Sequence, residues 1–85
     1  MTEKEIQSLG FKLQTINQHE PAHYYTCTIA RGHKFISNNS DTIYGDDQWH
    51  VDFFNSDPVI RFTEFNKLQT LIHLLKSHEY IPEML

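Results

Sequence analysis

Trp49-His50-Val51-Asp52-Phe53-Phe54 is the stretch whose reading decides the fold. Trp49, Val51 and Phe53 alternate with His50, Asp52 and Phe54, the period of two that sends successive side chains to opposite faces of a β-strand. The first set is wholly apolar and the second carries a histidine and a carboxylate. One face of this strand is therefore expected to meet a core and the other to stay partly open. Phe54 then stands as a large aromatic on the open face, flanked by Tyr24 from a neighbouring strand.

Working outward, Asn55-Ser56-Asp57-Pro58 is turn chemistry, and residues 59–62 read as a last strand. Thr63 is placed to cap a helix, with Glu64 in its first turn and Lys76 and His78 near its end, all complementing the helix dipole. Phe65, Leu68, Leu71, Ile72 and Leu75 share one face of that helix. Tyr80-Ile81-Pro82 ends it. In the other direction, Gly45-Asp46-Asp47 is a turn, residues 42–44 read as a strand stub, and Asn38-Asn39-Ser40-Asp41 as a loop. Residues 33–37 and 24–30 read as strands joined by a tight turn at Arg31-Gly32, and a first strand begins at Phe11. Thr2-Glu3-Lys4-Glu5 is a capping box, Met1 and Ile6 are spaced as a hydrophobic staple, and Gly10 follows Leu9 where a helix ends in a left-handed residue. The order αβββββα with hairpin-length links predicts an α+β fold. It is an antiparallel sheet of about five strands, with a short N-terminal helix and a C-terminal amphipathic helix on one face.

Eighty-five residues with 39% hydrophobic content predict a single domain, 1–85, built on one core. The 13% aromatic content supplies large buried areas in place of crosslinks. The lone Cys27 reads as a small buried apolar residue on a strand. No apolar run approaches the roughly 20 residues of a membrane helix. The charged N-terminus lacks an apolar signal-peptide core, which makes the cytoplasm the expected location.

Charge is sharply localised. Between Asp41 and Pro58 stand Asp41, Asp46, Asp47, Asp52 and Asp57 with no Lys or Arg, a local −5, while the whole chain carries −4. Such a segment can steer a basic partner, and the acidic balance argues against duplex DNA binding. As a calcium loop it fails, since Ile43 and Gly45 occupy the alternate ligand positions. As a paired-carboxylate active site it lacks a companion nucleophile.

His19-Glu20-Pro21-Ala22-His23 matches the H-E-x-x-H pattern of zinc peptidases. That chemistry needs both His on one helical face, and Pro21 disfavours a helix at Glu20. The catalytic reading is rejected, and no catalytic residue, metal ligand or cofactor is expected. A metal-binding protein using His19 and His23 is the alternative, as is a self-associating accessory protein or homodimer that buries Phe54 at a symmetric interface.

The block Phe35-Ile36-Ser37-Asn38, Trp49-His50-Val51-Asp52-Phe53-Phe54 and Ile60-Arg61-Phe62, followed by the Leu-rich helix and preceded by Leu9-Gly10-Phe11, resembles small proteins encoded by bacteriophages and prophages. Phage proteins of this size are often similar to anti-defence inhibitors, including anti-CRISPR proteins. The resemblance implies a non-enzymatic, stoichiometric inhibitor acting in the host cytoplasm on a nucleic-acid-guided nuclease. The partner would be a larger host protein or ribonucleoprotein with a basic surface. Asp46, Asp47, Asp52, Phe54 and Tyr24 are the expected contact residues.

Overall fold

The computed structural model describes residues 1–16, 19, 21–30 and 33–78. Five antiparallel strands lie side by side in chain order: β1 (Lys12–Thr15), β2 (His23–Ala30), β3 (His33–Ser37), β4 (Val51–Phe53) and β5 (Arg61–Phe62). Helix α1 (Glu3–Ser8) precedes the sheet and α2 (Phe65–His78) follows it. The α+β class and the antiparallel five-strand sheet expected from the sequence are those observed.

The first helix forms for the reasons its sequence states. Thr2 Oγ1 accepts the Glu5 backbone N–H at 3.2 Å, and Glu5 Oε1 accepts the Thr2 N–H at 2.9 Å, satisfying two donors that a helix N-terminus leaves open. Gly10 closes the helix at φ +85, where a Cβ would strain the backbone. Met1 and Ile6 are buried in the core, and the Met1 amino group donates to the carbonyl oxygens of Asp47, Trp49 and Thr63 at 3.2, 3.1 and 2.9 Å.

One face of the sheet carries the core. Cys27 pairs with Phe35, Phe35 with Phe53, and Val51 with Phe62, so these side chains share that face. Leu68 and Ile72 of α2 are buried against them, with Phe65, Leu71 and Leu75 packed alongside, as the helical spacing predicts. Phe35 sits at the centre, fully buried, with the rings of Phe53 and Phe62 edge-on at 5.3 and 6.0 Å. Such T-shaped contacts add to the area each ring buries.

Three local expectations need correction. Residues 42–44 form no strand; Thr42 ends a short 3-10 turn, Ser40–Thr42, and Ile43 and Tyr44 link it to a second, Asp46–Gln48. The Asn39 carbonyl oxygen accepts both the Thr42 N–H and its hydroxyl, and Gln48 Oε1 accepts the N–H groups of Tyr44 and Gly45, so backbone groups that a strand would pair across a ladder are satisfied locally. Residues 59–62 yield only the two-residue β5, because Ser56 Oγ takes the Ile60 N–H and Val59 and Ile60 are left exposed. Helix α2 begins at Phe65, which puts Glu64 just ahead of its first turn rather than inside it. The expected turn at Arg31-Gly32 and the helix end at Tyr80-Ile81-Pro82 lie outside the described residues.

Candidate functional site

The five residues expected to form one contact surface fall in two places. Asp46 and Asp47 belong to the connection between β3 and β4, residues 40–48. Asp52, Phe54 and Tyr24 belong to the sheet face turned away from the helices.

The 40–48 connection is held from within. Besides the Gln48 and Asn39 contacts, Gln48 N–H donates to the Gly45 carbonyl oxygen at 2.9 Å and Ile43 N–H to that of Ser40 at 3.2 Å. Asn38 ties its two ends, its Nδ2 donating to the Gln48 carbonyl oxygen and its Oδ1 accepting the His50 N–H. Ser40 Oγ accepts the His23 N–H at 2.9 Å, fastening the loop to β2. On this frame Asp41, Asp46 and Asp47 are exposed, and none forms an ion pair among the described residues. Tyr44 stands between them with 93% of its surface in solvent. The strand expected at 42–44 hid this residue from sequence reasoning, because an alternating stub would have placed it in a ladder.

The open sheet face is organised by register. Lys12, Thr26, Ile36, Asp52 and Arg61 lie in one row across the five strands, each paired with the next. Gln14 and Tyr24 form a second row on the loop side. Thr28 pairs with Lys34 at the far end, where Lys34 accepts the Phe54 N–H on its carbonyl oxygen at 2.9 Å. Lys34 Nζ lies 4.3 Å from the centre of the Phe54 ring, a cation–π contact. Phe54 is 36% exposed. Tyr24 and Phe54 thus share the face, as expected, but stand at its opposite ends rather than side by side. Asp52 is held in a two-pronged ion pair, Arg61 Nε to Oδ1 at 2.8 Å and Nη2 to Oδ2 at 3.1 Å. That contact raises the Arg61 pKa further. His50 sits beside this pair, where burial and then the Arg61 charge push its pKa below the ordinary histidine value, against the pull of Asp52.

A third cluster was missed by the sequence. Glu3 Oε2 accepts from His23 Nε2 and from the Tyr25 hydroxyl, both at 2.6 Å, and Gln7 Nε2 donates to the same hydroxyl at 2.9 Å. The Tyr25 and Trp49 rings flank His23 at 5.6 and 5.8 Å. The signal was present in the spacing: Glu3 and Gln7 share a face of α1 as i and i+4, and His23 and Tyr25 share a face of β2 as i and i+2. The Tyr25 hydrogen bond holds the Glu3 carboxyl below its ordinary pKa, helped by the His23 contact and charge and opposed by burial. Burial first, and then the Glu3 contact, push the Tyr25 phenol up, with Gln7 opposing. In the cluster the imidazole's other nitrogen faces the Pro21 carbonyl oxygen at 3.4 Å. This geometry fastens α1 to β2 and orients His23 toward a carboxylate. Among the described residues no group of three or more His, Cys, Asp or Glu is placed to hold a metal ion.

No helix among the described residues is long and apolar enough to cross a membrane. Comparison with protein-family models, with curated proteins and with solved structures finds no match for the chain.

Proposed function

We propose that the protein is a non-enzymatic binding module whose principal contact is the 40–48 loop, seated on a basic surface of a larger protein or ribonucleoprotein. The observation that carries this reading is Tyr44, an aromatic with 93% of its surface exposed between Asp41 and the pair Asp46 and Asp47. Aromatic side chains dominate the binding energy of protein interfaces, and clustered carboxylates speed encounter with a basic partner while rejecting acidic ones. The internal hydrogen bonds of the loop reduce the ordering cost on binding. The resemblance to phage-encoded proteins makes a host nucleic-acid-guided nuclease the first partner to test. An anti-CRISPR type of inhibition in the host cytoplasm is the finer form of the proposal. There the loop would occupy Lys and Arg that otherwise hold phosphates.

The test is affinity capture from a lysate of the natural host with three tagged forms: wild type, Tyr44→Ala and the double reversal Asp46→Lys/Asp47→Lys. A nuclease or ribonucleoprotein retained by wild type is expected to be lost by the reversal and weakened about 30-fold by Tyr44→Ala, the scale of an aromatic hot spot. Capture unchanged in both variants would remove the loop from the interface.

A further inference from the structure

The open sheet face differs chemically from the loop. It carries three cations, Lys12, Lys34 and Arg61, placed there by the pairings of Lys12 with Thr26, Thr28 with Lys34, and Asp52 with Arg61. Its one carboxylate among the described residues, Asp52, is already engaged by Arg61. Its π surfaces are Tyr24, Phe54 and the imidazole of His50, whose depressed pKa favours the neutral ring at pH 7. We infer that this face binds single-stranded nucleic acid, with bases stacking on Phe54 and Tyr24 and phosphates lying along Lys34, Lys12 and Arg61.

Charge complementarity selects this occupant. Among the described residues a polyanion meets Lys12, Lys34 and the Asp52-paired Arg61, and no carboxylate free of a cationic partner; single-strand binding without sequence preference needs this combination of a cationic track and π faces. Lys34 lies over the Phe54 ring, so a base stacking on that face displaces the ammonium, which is then free to take the phosphate of the same nucleotide. Duplex DNA does not suit the face, since its bases are stacked away from aromatic side chains.

The acidic loop lies beyond one end of the face. Counted along β3 and the residues after it, Lys34 is six residues from Ser40, at most about 20 Å, and the row of Lys12, Ile36 and Arg61 is four residues from it, at most about 13 Å. With a Debye length of about 8 Å at physiological ionic strength, salt screens the loop from Lys34 more fully than from Lys12 and Arg61. From Tyr24 to Phe54 the face runs across two strand spacings and four residues of strand, roughly 17 Å in all. An extended strand of three or four nucleotides spans that distance.

The experiment is fluorescence anisotropy with a labelled oligothymidylate and a labelled oligouridylate of about twelve nucleotides, against a duplex of the same length, at low and at physiological salt. Either single strand is expected to bind with a dissociation constant on the order of 10 μM at low salt, with a log–log salt slope of about −2 for three phosphates neutralised. The duplex is expected to bind at least tenfold more weakly. Phe54→Ala and Tyr24→Ala are each expected to weaken single-strand binding about tenfold, and Lys34→Glu to make the salt slope shallower. Thr28 is exposed beside Lys34, so Thr28→Lys should tighten binding severalfold and decides the matter even where an aromatic variant fails to fold. Absence of saturable single-strand binding at low salt, equal binding of duplex, or no gain from Thr28→Lys would overturn it. So would a chain that instead self-associates through this face, seen as concentration-dependent sedimentation lost in Phe54→Ala.

Discussion

The 40–48 loop and the open sheet face are neighbours along β3 and β4, yet they are built on opposite principles. The loop bonds to itself: its backbone donors end on Gln48 Oε1 and the carbonyl oxygens of Asn39, Ser40 and Gly45, and its carboxylates are left to solvent. The face bonds across strands: Asp52 is closed onto Arg61, Gln14 donates to Thr26 Oγ1 at 3.1 Å, and Lys34 lies over Phe54. Local satisfaction of the loop's backbone leaves its carboxylates unpaired, whereas on the face the cross-strand contact with Arg61 neutralises Asp52. Asp52, grouped by sequence with Asp46 and Asp47, therefore belongs to a different surface.

The largest effect should come from the layer beneath both regions. Phe35→Ala removes the fully buried ring that contacts Phe53 and Phe62 and is expected to cost about 3–5 kcal/mol of stability. Chemical denaturation should show it, and protein capture and strand binding should fail together. Loss of one alone would mean that the two surfaces do not share a scaffold.

The loop is next. Tyr44→Ala should reduce partner affinity by about 2 kcal/mol while shifting unfolding by less than about 0.5 kcal/mol, since the side chain is exposed. Parallel calorimetry of binding and of unfolding reads both. A large stability loss would make Tyr44 a structural residue and break the contrast.

The Glu3 cluster sharpens it from below, because Ser40 hangs from the His23 N–H beside that cluster. Glu3→Gln should cost about 1.5 kcal/mol at neutral pH, the low end for hydrogen bonds to a charged group in a part-exposed site. The sign with pH follows from a carboxyl held below its ordinary value. Its stabilisation is present above the unfolded pKa of about 4.3 and is lost as pH falls through the lower folded value. Thermal unfolding of wild type and variant should therefore differ at pH 7 and converge once the pH has fallen through the lowered folded value of Glu3. A gap independent of pH would mean that charge plays no part in the clamp.

The smallest effect is expected at Asp52→Asn. The pair is partly exposed and contributes at most about 1 kcal/mol. Its release frees Arg61, so single-strand binding should tighten severalfold even as the melting temperature falls slightly. Weaker strand binding in this variant would show that Arg61 must be held in place to act.

How far the sequence reached depended on whether a feature is local. The capping box at Thr2 and Glu5, the left-handed Gly10, the alternation from Trp49 to Phe54 and the apolar stripe of α2 are set within a few residues, and each is observed as expected. The Asp52–Arg61 pair requires the register of β4 against β5, and the Glu3–His23–Tyr25 cluster requires α1 to be docked on β2, neither of which any short window contains. At residues 42–44 the strand-like composition of Thr42, Ile43 and Tyr44 lost to the Gln48 side-chain oxygen and the Asn39 carbonyl oxygen, which offered the backbone nearer partners. Val59 and Ile60 failed for a similar reason, the Ser56 hydroxyl taking the Ile60 N–H that a longer β5 could have used.

The most direct measurement is an amide chemical-shift titration of the isotope-labelled chain, in separate samples, with an oligolysine of about eight residues and with the oligothymidylate. Two surfaces of opposite preference predict that oligolysine moves the signals of residues 40–48 and that the oligothymidylate moves those of Lys34, Asp52, Phe54 and Arg61. Shifts from both ligands on one common set of residues would contradict the account.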